Sequence, residues 1–163
     1  MPKDPLRYLK AMQEAAEYAV EARHSVACPG DVAAFLRPLT AELEQEVVYV
    51  LLCDARNKLI SFYEVSRGTV DSAQVTARDV FREAVRGNAS RVVIAHNHPS
   101  GDVTPSSHDI SLTRQLVDAG HVLGISVLDH VIVGQKTESR DKDWLSFREE
   151  GLIAEFNNKG EDK

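Results

Sequence analysis

One short block of this chain gathers most of its reactive side chains: HNHPSGDVTPSSHD, residues 96–109. His96 and His98 stand two apart at the end of RVVIAH, residues 91–96, an apolar run that reads as a buried strand. Side chains two apart on a strand share a face, so both imidazoles can reach one ion. Pro99 cannot continue a hydrogen-bonded ladder and Gly101 permits a sharp turn, so the chain folds back here. Ten residues separate His98 from Asp109, in the first turn of the next expected helix, and the fold-back can set that carboxylate against the imidazoles. Three such ligands leave a fourth tetrahedral position for water, the arrangement of a catalytic rather than a structural zinc. One zinc there would lower the pKa of its water to about 7 and polarise a substrate carbonyl.

Other chemistries use parts of this pattern. The iron(II) facial triad also takes two histidines and a carboxylate, and metal analysis distinguishes it. Zinc deaminases need H-x-E followed by P-C-x-x-C, whereas Cys28 and Cys53 both lie upstream and form no CxxC pair. The adjacent letters His-Asn-His are not the HNH nuclease motif, whose three residues lie far apart. A two-metal nuclease would need more acidic ligands than one Asp. Asp109 also fits the last position of a capping box opened by Ser106, a role compatible with ligation. Asp129 and His130 form a second polar pair inside an apolar strand, as a satisfied core histidine or as support for the site. His24, His108 and His121 read as incidental. Arg67, Arg78 and Arg82 are candidates for binding an acidic group or a C-terminal carboxylate.

A zinc hydrolase also needs a carboxylate to move protons. Glu64 is the choice over Glu83. Ile60, Phe62 and Glu64 share one face of a strand by two-residue alternation, so Glu64 extends an apolar face and is partly desolvated, which raises its pKa. Glu83 points away from the apolar stripe of its helix and has Arg86 to pair with.

The elements that position these residues alternate along the chain. Residues 4–24 carry apolar positions at helical spacing, and Cys28-Pro29-Gly30 breaks the pattern. Asp31 can cap a second helix that Pro38 ends or kinks. VVYVLLC (47–53) and LISFYEVS (59–66) read as a strand hairpin, with a loop from Gly68. Thr76 opens a helix with Asp79 in the capping-box position, and Gly87-Asn88 ends it. A helix from about Ser106 to Ala119, with Gly120 as its C-cap, follows the motif. GISVLDHVIVG (124–134) is the last clear strand, and beyond Trp144, Leu145 and Phe147 a C-terminal helix leads into a charged tail. The pattern predicts a layered α/β domain over 28–156, a helical appendage over 1–27 and a flexible tail over 157–163.

The chain has 163 residues, 43% hydrophobic, enough for one domain with a real core. Its formal net charge of −6 argues against a sequence-independent grip on nucleic acid, so duplex DNA is not an expected partner. No run of 18 apolar residues suggests a membrane span, and no export signal is evident. Two isolated cysteines read as reduced thiols, which predicts a cytoplasmic protein.

From about Cys28 to about Ile153 the sequence resembles the RadC-like branch of the JAB/JAMM (MPN+) superfamily. The resemblance rests on EVSRGT (64–69), TARDVFREAV (76–85), VVIAHNHPSGDVTPSSHDISLT (92–113) and LDHVIVG (128–134). Asn97 stands where the eukaryotic members have Ser or Thr. The resemblance implies a JAB/MPN-type, cytidine-deaminase-like α/β sandwich with a mixed sheet. It implies zinc on His96, His98 and Asp109, an oxyanion-binding role for Ser106, and a base on a strand upstream of H-x-H, which the position of Glu64 resembles. The expected function is a zinc-dependent peptidase or isopeptidase acting on a protein or peptide. The alternative is a non-catalytic or DNA-repair-associated accessory domain. Longer relatives carry an N-terminal helix-hairpin-helix domain, for which residues 1–27 are too short.

Overall fold

The computed structural model describes residues 4–22, 25–26, 28–68 and 75–158; His24, Thr69 and the tail from 159 lie outside them. The elements run α1 (Pro5–Ala22), α2 (Pro29–Thr40), β1 (Glu46–Cys53), β2 (Leu59–Gly68), α3 (Ala77–Arg86), β3 (Arg91–Asn97), α4 (Ser107–Leu123), β4 (Ser126–Val133), β5 (Trp144–Ser146) and α5 (Leu152–Asn158). Five strands form one sheet in the order β2-β1-β3-β4-β5. Among the described residues only β3 and β4 pair in parallel, which requires a long crossover, and α4 supplies it. The sheet is therefore mixed and lies between two layers of helices, the layered α/β sandwich that the alternation of elements predicts.

The continuous apolar runs of β1 and β3 bury both faces of the central strands. Tyr49, Leu51, Val93 and Ala95 face α1 and α2, packing with Ala11, Ala15, Leu36 and Leu39. Val48, Val50, Val92 and Ile94 face α3 and α4, packing with Phe81, Ala84, Leu112 and Leu116. Among the described residues no helix is long and apolar enough to cross a membrane. Cys28 is exposed and Cys53 buried, and both are free.

Several boundaries differ from the sequence reading. Cys28-Pro29 is the start of α2 rather than a break before it, because proline at the first turn gives up an N–H that has no helical partner there. Asp31 sits in that first turn, where its charge suits the helix dipole, and α2 continues past Pro38 to Thr40. Thr76 and Asp79 form the expected reciprocal capping box. β2 extends to Gly68, and Trp144–Ser146 adds a short fifth strand on β4. Gly120 is not the cap of α4. The helix runs to Leu123, and Gly124 ends it in the left-handed conformation at φ +69. Gly120 is glycine because a Cβ there would lie 2.4 Å from the Ile125 carbonyl oxygen, so the helix packs directly on the chain that follows it.

Candidate metal centre

The site forms at the C-terminal end of β3, in the middle of the sheet. His96 lies opposite Val48 on β1 and Ile132 on β4, and is 1% exposed. His98 follows the strand, tethered by its amide to the Val133 carbonyl. Gly101 makes the predicted turn at φ +86, where its amide donates to the His98 carbonyl. The turn brings the Asp102 carbonyl within 2.6 Å of His98 Nδ1, which donates to it. The other nitrogen, Nε2, then faces His96 Nε2 at 2.9 Å.

Asp109 arrives from α4. Ser106 Oγ accepts from the Asp109 amide at 3.0 Å, and the Ser106 amide donates to Asp109 Oδ2 at 2.8 Å. This capping box fixes the carboxylate, whose oxygens lie 3.5 Å from His96 Nε2 and 3.6 Å from His98 Nε2. Capping and approach to the imidazoles thus coexist in one side chain. Burial alone would raise the Asp109 pKa, but His98, His96 and the Ser106 donors outweigh it and hold the carboxyl well below its ordinary range. Burial likewise opposes the charge on His98. The Asp109 carboxylate, the Asp102 carbonyl and the Glu46 charge prevail and raise its pKa.

A second carboxylate reaches the pair, and it is not Glu64. Ligand atoms of Glu46, His96 and His98 all lie within 4.8 Å of one another. The register explains this: Val48 lies opposite His96, so two residues earlier Glu46 meets His98 on the same face. Glu64 lies opposite Tyr49, whose side chain packs with α1 and α2, so it points to the other face of the sheet. There it accepts 2.8 Å and 2.7 Å hydrogen bonds from Arg67 and a 2.8 Å bond from the Tyr8 hydroxyl. Burial raises the Glu64 pKa, but these donors override it and leave it below its usual value. Glu64 therefore does not stand beside the histidine pair as expected; the glutamate that does is Glu46. Phe62 and Glu64 share a face as alternation predicts, but a register shift between Leu52 and Cys53 puts Leu59 rather than Ile60 on it, and only strand pairing says which face it is. Glu46 is half-buried, and burial, reinforced by the Asp109 charge and opposed by His98, raises its pKa. The signal in the sequence was a glutamate at the start of the first strand of the hairpin.

The remaining candidates fall into place around this geometry. Glu83 pairs with Arg82 and Arg86 on α3. His130 is buried, and its Nε2 lies 2.7 Å from His96 Nδ1, so the core and support readings describe one residue. Asp129 accepts from Ser146 Oγ at 2.6 Å and from the amides of His130 and Arg148, clamping the chain after β5 to β4. Phe147, delivered by that clamp, stacks on the His130 ring. His108 and His121 are exposed.

Two imidazole nitrogens and a deprotonated carboxylate converging in a buried cleft form a donor set suited to zinc, and shared by iron(II). A family model for the RadC-like JAB domain matches residues 26–152. A UPF0758 protein of Chloroflexus aggregans is 42% identical over 137 residues, covering 84% of this chain and 57% of its own length. One from Symbiobacterium thermophilum is 47% identical over 126 residues, covering 77% and 51%. One from Desulforamulus reducens is 38% identical over 133 residues, covering 82% and 56%. The chain thus spans about half the length of these relatives. The matched segment contains Glu46, the whole histidine block and the strand of Asp129 and His130, so by sequence and by sheet this chain belongs to the family of RadC-like JAB domains.

Proposed function

We propose that this chain is a zinc-dependent hydrolase of amide bonds, a peptidase or isopeptidase acting on a protein or peptide. His96 Nε2, His98 Nε2 and the Asp109 carboxylate would hold the metal. When bound, zinc supplies a Lewis acid that acidifies water and polarises a carbonyl. Glu46 would take a proton from the attacking water at a carboxylate oxygen and return it to the leaving amine nitrogen. Ser106 Oγ accepts from the Asp109 amide, so its own proton remains available to donate to the carbonyl oxygen as negative charge develops there.

The observation that carries this reading is the contrast between two carboxylates at one histidine pair. Asp109, fixed by its capping box with Ser106, lies 3.5 Å and 3.6 Å from the two Nε2 atoms, as a ligand needs, whereas Glu46 reaches the same pair from β1, as a proton carrier needs. A cavity of about 600 Å³, lined in part by Arg37, Thr40, Asn97 and Gln135, adjoins the centre through His98. The test combines elemental analysis of protein purified without added metal with digestion of a proteome-derived peptide library. New termini would be read by mass spectrometry for wild type, Glu46→Gln and chelator-treated protein. The reading predicts near-stoichiometric zinc and cleavage that both treatments abolish. Iron in place of zinc, no bound metal, or cleavage that survives Glu46→Gln overturns it.

A further inference from the structure

His96 must offer Nε2 as a lone pair if it is to bind a cation, and a buried chain of hydrogen bonds determines which of its nitrogens carries the proton. The chain begins at the Thr113 hydroxyl, 2.6 Å from the Asp109 main-chain carbonyl oxygen. A carbonyl only accepts, so the single hydroxyl proton goes there. Thr113 Oγ1 is then an acceptor towards His130 Nδ1, also 2.6 Å away, and His130 carries its proton on Nδ1. His130 is 0% exposed and stacks on Phe147, surroundings in which the neutral ring is favoured. With Nδ1 protonated, its Nε2 accepts across 2.7 Å from His96 Nδ1. His96 Nε2 is left unprotonated, facing His98 Nε2 and the Asp109 carboxylate.

We infer that Thr113 and His130 are positioning residues that set the tautomer of His96 and so prepare its Nε2 for metal. The relay starts at the backbone of Asp109 and ends beside the carboxylate of the same residue, so the first turn of α4 holds both the carboxylate and the histidine that it opposes. This role deepens the zinc reading above and rests on it only for the identity of the ion.

Two measurements test it. The first is zinc affinity by competition with a chelating dye for wild type, Thr113→Val and Thr113→Ser. Valine keeps the shape and removes the acceptor, so affinity falls tenfold or more, within the roughly 10–100-fold range for such supporting partners; serine keeps the hydroxyl and restores it. The second is long-range proton–nitrogen NMR of the histidine rings in metal-free wild type at about pH 8, with His96 and His130 both expected as the Nδ1–H tautomer. Wild-type zinc affinity in Thr113→Val, or His96 protonated at Nε2 in the wild type, overturns the inference. A wild type that binds no zinc overturns the zinc reading instead, and the NMR result then decides the relay alone.

Discussion

Glu46 and Glu64 lie on neighbouring strands, the first half-buried and the second exposed, and their surroundings assign them different work. Glu64 is neutralised by Arg67 and anchored to Tyr8 on α1, so it ties the first helix to β2. Glu46 has the histidine pair instead. Glu46→Gln is expected to keep zinc and fold while losing at least a hundredfold in peptide cleavage, in the range for general acid–base groups. Glu64→Gln is expected to keep both zinc and cleavage and to lose about 1 kcal/mol or less of stability, because the ion pair is partly solvated. Metal content, library digestion and urea unfolding of the two variants separate these outcomes. Equal loss of cleavage in both would contradict the assignment by face.

At the scale of elements, α4 carries the site at one end and a close-packed glycine near the other. Gly120→Ala places a methyl group against the Ile125 carbonyl, a rigid backbone neighbour, and should destabilise by about 1–3 kcal/mol. Gly124→Ala meets no atom within 4 Å but must adopt a left-handed backbone, which costs about 1 kcal/mol. Thermal unfolding should therefore rank Gly120→Ala as the worse change. The loop after β4 is held to α2 by a two-pronged pair between Arg37 and Asp143. Hydrogen bonding from Arg37, only partly opposed by burial, holds the Asp143 carboxyl below its usual pKa. A carboxylate depressed in the folded state contributes its stability above the unfolded pKa, near 3.9, and loses it as pH falls through the lower folded value. Wild type should exceed Asp143→Asn in urea midpoint at pH 6, by the equivalent of about 1 kcal/mol or less, and the gap should close towards pH 3.

For the molecule as a whole, two apolar layers pack the sheet without help from the metal site. Chelator treatment should lower the melting temperature, by removing a ligand that binds only the folded state, yet leave far-UV circular dichroism native at 25 °C. Unfolding on chelation, as a zinc finger does, would show that the metal holds the fold. With a net charge of −6, this chain is also expected to bind duplex DNA negligibly at physiological salt. A sub-micromolar dissociation constant by fluorescence anisotropy, weakening with salt, would reverse that expectation.

Local rules made much of this legible in sequence. The spacing His96-x-His98, the turn at Gly101 and the capping pair Ser106 and Asp109 are properties of neighbours along the chain, and each has the predicted local geometry. The apolar runs of β1 and β3 likewise announced strands covered on both sides. What sequence could not supply was which distant residues share a face. Alternation has a period of two and no absolute sign, so it chose Glu64 over Glu83 without saying which face Glu64 takes, and only the Val48–His96 register put Glu46 instead beside the histidine pair. Gly120 read as a cap because glycine favours helix ends, whereas its neighbour across space, the Ile125 carbonyl, is what excludes a side chain. The relay from Thr113 through His130 to His96 spans two strands and a helix, and only their packing brings three polar groups into one buried line of hydrogen bonds.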